Sequence, residues 1–239
     1  MMNHMTKKVS ECLICGEELK YSKNAQEMEC IVCNRSFMSN GACVKGHFVC
    51  DDCHGKEAVG AVKYLCANTQ SKNPFEIAEE LMDKPCVHMH GPEHHIIIGA
   101  ALLTAYGNAG GDVDIVPALE EMVKRGSKVP GGACGFWGCC GAAISAGMFY
   151  SIILGGTPLT GRIRDEANIL TSKCLNEIAS HEGVRCCKRE TYKSLGVAVE
   201  YVKEKLGIAM EIPERILCLR SSKNKDCIGE ECPFYRIQP

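Results

Sequence analysis

The sequence lacks net charge, an export signal, a clean membrane span and the strand pattern of α/β folds. Each absence excludes a class of protein. The formal charge over 239 residues is −2, and neither the first 55 residues nor the remainder is a polyelectrolyte. There is therefore no electrostatic footprint for nucleic acid. The opening stretch MMNHMTKKVSEC has no apolar run of the kind an export signal needs, which points to a cytoplasmic protein. From Val129 to Gly161 no side chain is charged. A membrane helix takes about 20 apolar residues, and this run is long enough. It is, however, broken up by cysteines, glycines and hydroxyl residues. Its most apolar part, AAISAGMFYSIIL, is 13 residues, the length of a buried core helix, so a membrane role is not expected. After residue 55 no alternating apolar and polar pattern marks a strand, and no glycine-rich strand–loop–helix marks a nucleotide site. No internal repeat and no low-complexity linker is visible.

What the chain has in excess is cysteine, 18 of 239 residues. In a reducing compartment clustered cysteines read as metal ligands or reactive thiols rather than disulfides, and a load this heavy suits an anaerobic cytoplasm. The first eight ligand-type residues come in four pairs: Cys12 and Cys15, Cys30 and Cys33, Cys43 and His47, Cys50 and Cys53. A C-x-x-C pair grips one tetrahedral ion through two thiolates on a tight turn, and zinc takes four such ligands, so four pairs make two sites. The run CVKGHFVCDDC resembles the centre of RING-like, treble-clef-type fingers, in which alternate pairs share a metal. That resemblance implies one site of Cys12, Cys15, Cys43 and His47 and another of Cys30, Cys33, Cys50 and Cys53, with His54 as the alternative to His47. The extra pair lies upstream instead of downstream, which counts against any ubiquitin-type role. A segment this small needs a metal staple to fold, and docking a protein partner is its second use.

Downstream the ligand-type residues fall in four islands. CVHMHGPEHH offers Cys86, His88, His90, Glu93, His94 and His95. GGACGFWGCCG packs five glycines, three cysteines and the only tryptophan into residues 131–141. Glycine at that density is conformationally costly unless backbone must turn sharply or approach something closely. The expectation is a helix-entry loop carrying Cys134 and shaped around an inorganic cluster or a charged substrate, with backbone N–H groups aimed at it. Adjacent cysteines on a helix point about 100° apart, so of Cys139 and Cys140, and of Cys186 and Cys187, one is expected to act and the other to pack. In the tail, Cys218, Cys227 and Cys232 are followed by Pro233 and look like a cluster-binding loop. With a fourth cysteine from elsewhere they would hold a [4Fe–4S] centre. Three thiolates alone would leave one iron open for substrate. Zinc and free thiols remain the alternatives. His94 or His95 could move a proton near neutral pH, and His88 with His90 could chelate. Cys66 and Cys174 fall on apolar stripes and read as core. Arg162, Arg164 and Asp165 read as a solvated helix start or as an anion site.

The apolar spacing predicts helices in most of the remainder. Val59, Val62 and Leu65 share a face. Asn73-Pro74-Phe75-Glu76 carries a cap, a first-turn proline and an acidic third position. Gly91-Pro92-Glu93 opens a helix that runs to Gly110 and Gly111, and Asp114 caps the next. Cys139 to Leu154 is apolar all round and hence buried. Ile163, Ala167, Leu170, Cys174 and Ile178 form one stripe. Tyr192, Leu195, Val199, Val202 and Leu206 form another, ended by Gly207.

CGFWGCCGAAISAG, HMHGPEHH and the CC island together resemble an uncharacterised cysteine-rich family of methanogens and other anaerobes, described only as a domain of unknown function. The resemblance covers about residues 60–239, and members sometimes carry an added zinc-type finger. It implies shared motifs and no established activity. Some relatives bear a methyltransferase label, which the missing glycine-rich loop does not support here.

The expected architecture is mainly α: a two-zinc finger over residues 1–55, then an all-helical domain of about seven helices over 56–239. The expected function is that of a cytoplasmic metalloprotein with structural zinc and a Cys/His pocket holding a [4Fe–4S] cluster, for sulfur transfer, elimination or redox chemistry on a small substrate. Cys139, Cys140, His94 and His95 are the candidate catalytic residues. Cys134, Cys187, Cys218, Cys227 and Cys232 are the candidate cofactor ligands. The alternative is a non-enzymatic cluster carrier or redox-regulated assembly factor that docks a partner through the finger. A homodimer fits either reading, and whether the chain is an enzyme stays open.

Overall fold

The computed structural model describes residues 12–236. Within them the finger is a β-hairpin between metal-ligand turns. Strand β1 (Leu19–Glu29) pairs antiparallel with β2 (Ser36–Cys43), from Leu19 opposite Cys43 at one end to Glu29 opposite Ser36 at the other. The register shifts between Tyr21 and Gln26, and the amide of Asn40 holds the bulged segment through Ser22 O at 3.1 Å. Between residues 12 and 50 the buried positions are Cys12, Cys30, Cys43 and Cys50. The finger therefore has no apolar core apart from its thiols.

Eight helices follow: α1 (Asp51–Asn68), α2 (Pro74–Met82), α3 (His94–Asn108), α4 (Ile115–Gly126), the single turn α5 (Ala133–Phe136), α6 (Gly141–Ile153), α7 (Gly161–Ala179) and α8 (Cys187–Leu206). The chain is mainly α, with a small two-site finger ahead of a helical body. Helix α1 begins inside the finger, with Cys50 at its N-cap, and runs on to Asn68. The tail after α8 holds two single 3₁₀ turns and one isolated bridge between Cys218 and Tyr235.

Helix α3 is the centre of the body. It is apolar on every face and packs against α1, α2, α4, α6 and α8, so Ile97, Ile98, Leu102 and Leu103 are fully enclosed. Helix α6 is the uncharged run of the sequence, and Ala143, Ala146, Phe149 and Tyr150 put it in the core beside α3 and α7. Among the described residues no helix is long and apolar enough to cross a membrane. Helices α6 and α7 meet closely at Gly147, where an added Cβ would lie 2.0 Å from Thr171 Oγ1 and 3.2 Å from Ala167 O. Cys66 and Cys174 are core residues, as their stripes predict.

Several boundaries follow their local chemistry. The Asn73 side chain accepts from the N–H groups of Phe75 and Glu76 and caps α2. Gly207, at φ +70°, takes the left-handed position that ends α8. Asp114 sits at the N-cap of α4 but its side chain makes no cap bond. Pro117 occupies the third helical position, where the N–H that such a cap would use is missing. Cys139 and Cys140 precede α6 instead of lying on it, because Gly138, at φ +63°, breaks the chain between α5 and α6.

Leu102→Ala should cost about 2–5 kcal/mol, since its neighbours on α3 cannot collapse into the void. Asn73→Ala should cost about 1 kcal/mol through the lost cap. Urea denaturation of each variant checks both, and equal effects from the two would contradict the central position of α3.

Candidate functional site

The two finger sites come together in the cross-brace arrangement. Cys12, Cys15, Cys43 and His47 place one ligand atom each within 4.8 Å of one another, and so do Cys30, Cys33, Cys50 and Cys53. A tetrahedral ion bound at about 2.3 Å sets its thiolates about 3.8 Å apart. Cys33 and Cys50 Sγ are 3.8 Å apart, Cys15 and Cys43 Sγ 3.5 Å, and His47 Nδ1 lies 3.2 Å from Cys15 Sγ. Backbone N–H groups two residues on serve the sulfurs, from Ile14 to Cys12 at 3.4 Å and from Lys45 to Cys43 at 3.3 Å. Donors of this kind stabilise thiolate charge, and the donor set fits a metal ion in each site.

Between the finger and the helical body lies a cleft of about 1320 Å³. Three of the four downstream islands line it: His88, His90, His94 and His95 from the first, Cys134 and Cys140 from the second, Cys186 and Cys187 from the third. Cys139 is not among the lining residues. The finger is fastened beside the cleft by Asp51, whose carboxylate accepts from Gly131 N at 2.7 Å, and by Tyr21, whose ring meets Phe136 at 6.0 Å. The anion found by this glycine-rich loop is thus a carboxylate of α1.

The histidines divide by partner. Glu93 is buried at the mouth of α3, and its carboxylate accepts from His88 N at 2.9 Å, His88 Nδ1 at 3.3 Å and His54 Nδ1 at 3.2 Å. Burial opposes its charge. The bonds from His54 and His88 and the nearby His94 nonetheless hold its pKa far below the usual carboxylate range. These three side chains are a third set with ligand atoms within 4.8 Å of one another. The His54 and His88 rings lie 4.2 Å apart, tilted by 57°, and donation through Nδ1 leaves both Nε2 atoms as lone pairs. His54 therefore belongs to the cleft, and His47 to the finger site. His94 is enclosed, with Nδ1 on Gly91 O at 3.1 Å and Nε2 on Lys188 Nζ at 2.8 Å, so both ring nitrogens are engaged. Burial and then Lys188 push its pKa well down, keeping it neutral. His95 donates from Nδ1 to Val129 O at 3.0 Å, which makes Nε2 its basic atom. That ring rests on Gly141, where an added Cβ would lie 2.4 Å from Nε2. His90 turns away from His88 to Asn224 Oδ1 at 3.1 Å, and its buried Nδ1 has no partner.

The thiols gather on one wall. Cys140 is the N-cap of α6 and Cys187 the first residue of α8, and charges on Glu190, Cys187 and Cys134 all act on Cys140. Burial raises the Cys140 thiol to about 12 and the Cys187 thiol to about 11. Glu190 shares the wall with 6% of its surface exposed, and its Oε2 has no hydrogen-bond partner while Oε1 takes Arg189. Sequence reasoning missed Glu190, because KRE next to CC reads as a solvated helix start. Arg162 and Arg164 pair with Glu166 and Asp165 on α7, outside the cleft.

The other cysteines meet elsewhere. Cys218, Cys227 and Cys232 line a small enclosed pocket between the tail and α8, together with Cys186. Cys186 and Cys187, adjacent in sequence, both border the cleft, and Cys186 alone also lines the tail pocket.

Cys30→Ser should lose the ion of its own site, keep the other, and melt the finger at lower temperature. Metal analysis and a thermal scan check this. Unchanged metal content would break the cross-brace. Gly141→Ala should cost about 1–3 kcal/mol by driving the His95 ring out of place. His95→Ala in the same chain should recover most of that loss, a non-additivity read by denaturation.

No curated protein and no solved structure matches the chain. One family does match, over residues 62–235, a range that takes in the cleft cysteines and the tail and leaves out the finger ligands. Most of the chain is covered, as the cysteine-rich motifs suggested, and it belongs to the Family of unknown function (DUF5714).

Proposed function

We propose that the protein is a metalloenzyme acting on a small substrate in the cleft, by sulfur-transfer, elimination or redox chemistry. Zinc fills the two finger sites as a structural staple. An iron–sulfur centre is held at the cleft wall by Cys134, Cys140 and Cys187. The observation that carries this reading is that those three thiols, from three separate elements, line one cleft together with Glu190, whose Oε2 has no partner. Soft thiolates suit iron–sulfur centres and zinc, and a buried carboxylate oxygen without a donor suits a neighbouring cation.

Such a centre, with three protein thiolates, supplies a Lewis-acidic position open to substrate. The chain's own residues do the rest. His95 Nε2 takes the substrate proton, with the ring fixed by the bond from Nδ1 to Val129 O. Glu93 turns the free nitrogens of His54 and His88 outward by holding both Nδ1 protons. His94 stays neutral and positions Lys188. The finger covers one side of the cleft and limits water.

A second reading, a cluster carrier that docks a partner through the finger, is favoured by one feature. The residues inside the first two C-x-x-C turns are apolar and exposed: Leu13, Ile14, Ile31 and Val32.

Anaerobic purification followed by iron, zinc and acid-labile sulfide per chain is the test. Cys140→Ser and Cys187→Ser should each lose the same share of iron and sulfide and keep all zinc. A small thiol added to wild-type protein should shift the paramagnetic resonance of the reduced centre. Full iron in both variants, or no response to any thiol, would sink the enzymatic reading. Intact transfer of the cluster to an acceptor protein would favour the carrier.

A further inference from the structure

Cys186, Cys218, Cys227 and Cys232 all line the small pocket between α8 and the tail; Cys186 borders the cleft as well, and Cys187 lines the cleft but not this pocket. Three observations distinguish these sulfurs from ordinary core cysteines. The first is polarity. Core Cys174 points its thiol at a carbonyl, Ser194 O, at 3.8 Å. The four pocket sulfurs instead receive N–H groups, as the finger ligands do. Arg220 N approaches Cys218 and Gly229 N approaches Cys227, each at 3.4 Å from residue i+2. Phe234 N serves Cys232 in the same register, Lys188 N and Arg189 N serve Cys186, and Asn224 Nδ2 adds a 3.6 Å contact to Cys186. Gly229 reaches its position only at φ +63°, a left-handed turn that places its N–H on the sulfur.

The second is charge. Lys188, Arg189 and Arg220 line the pocket, and no carboxylate does. Arg189 pairs with Glu190 and Arg220 with Glu79 and Asp83, all outside this lining, so the charged side chains of the lining itself are cationic, which suits a group of net negative charge.

The third is spacing. Among the described residues, three or more ligand atoms fall within 4.8 Å of one another only in the two finger sites and the His54–His88–Glu93 set. The pocket sulfurs stand further apart than one tetrahedral ion allows, since an ion at about 2.3 Å sets them about 3.8 Å apart. A cubane of four irons and four sulfides carries its thiolates on a larger tetrahedron.

We propose that Cys186, Cys218, Cys227 and Cys232 ligate one closed [4Fe–4S] cluster, separate from the cleft centre. The tail supplies three ligands and the N-cap of α8 the fourth. With every iron bound by a protein thiolate, the cluster binds no substrate. It ties the tail to α8, one peptide bond from Cys187. The proposal stands whether or not the cleft itself holds metal.

The experiment uses the full chain, purified and reconstituted without oxygen, in wild type and in Cys186→Ser, Cys227→Ser, Cys140→Ser and Cys66→Ser forms. Iron, sulfide, zinc and the resonance of the reduced protein are measured. Cys186→Ser and Cys227→Ser should lose the same signal, with about four irons and four sulfides. Cys140→Ser and Cys66→Ser should keep that signal, and zinc should stay unchanged throughout. Because a serine variant can fail to fold, circular dichroism of each is compared with Cys66→Ser. If folded Cys186→Ser keeps full iron and sulfide, or if the pocket takes zinc without sulfide, the proposal is overturned. Loss in Cys140→Ser alone would overturn it too while leaving the cleft reading intact. Loss in both Cys186→Ser and Cys227→Ser, with none in Cys140→Ser, would do the reverse.

Discussion

Six charged side chains lie inside the helical body, and satisfying them fixes everything around them: Glu93, Lys188, Arg189, Glu190, Lys193 and Arg220. A buried charge without partners costs several kcal/mol, so each dictates the position of its neighbours. Lys188 spans His88 O at 2.9 Å and His94 Nε2 at 2.8 Å and meets no carboxylate, so burial lowers its pKa to about 8. Lys193 closes the end of α7 through Glu177 O at 2.6 Å and His181 Nδ1 at 2.7 Å. Arg220 joins the tail to α2 through Glu79 at 2.8 Å and Asp83 at 2.6 Å, and Tyr192 bonds the same Glu79 carboxylate. The first turns of α8 are therefore a polar wedge in the protein interior. The cleft and the tail pocket both border it, sharing Cys186 and Arg189.

The finger obeys a different constraint. It encloses almost no apolar surface, so thiolates and a metal take the place of a core. Its hairpin carries the chain from one site to the other, and its last ligand turn is already the start of α1. The metal sites thus set the direction of α1. That in turn brings Asp51 to the glycine loop and His54 to Glu93. The glycines of residues 131–141 have separate reasons. Gly132 and Gly138 adopt left-handed turns that shape α5 and the break before α6, and Gly141 admits the His95 ring.

Much of this was legible in the residues. The paired spacing of the finger cysteines shows that each C-x-x-C turn grips one ion, and the resemblance to cross-brace fingers implies which pairs share a site. Asn73 and Gly207 mark helix ends through bonds and dihedrals that depend on the residue type alone. The apolar runs of α3 and α6 announce burial. Other features were hidden. Residues 187–191, CKRET, look like a solvated approach to a helix. They are helical, and buried from residue 188 on, because Lys188 finds its partners, His88 O and His94, more than 80 residues away in sequence while Arg189 and Glu190 pair with each other. Asp114 looks like a cap until Pro117 is considered.

The sequence by itself determined the helical class, the two finger sites and the presence of cysteine islands, since these rest on short-range periodicity and local ligand spacing. Only the tertiary structure decided how the islands combine. It placed His94 against Lys188 and left His95 with a basic nitrogen. It set Cys187 in the cleft and Cys186 where the cleft and the tail pocket both reach it, and left Glu190 with an oxygen unpaired. The physical reason is that a side chain's chemistry is set by what desolvates and bonds it. For these residues those partners come from elements far along the chain, which no local pattern can record.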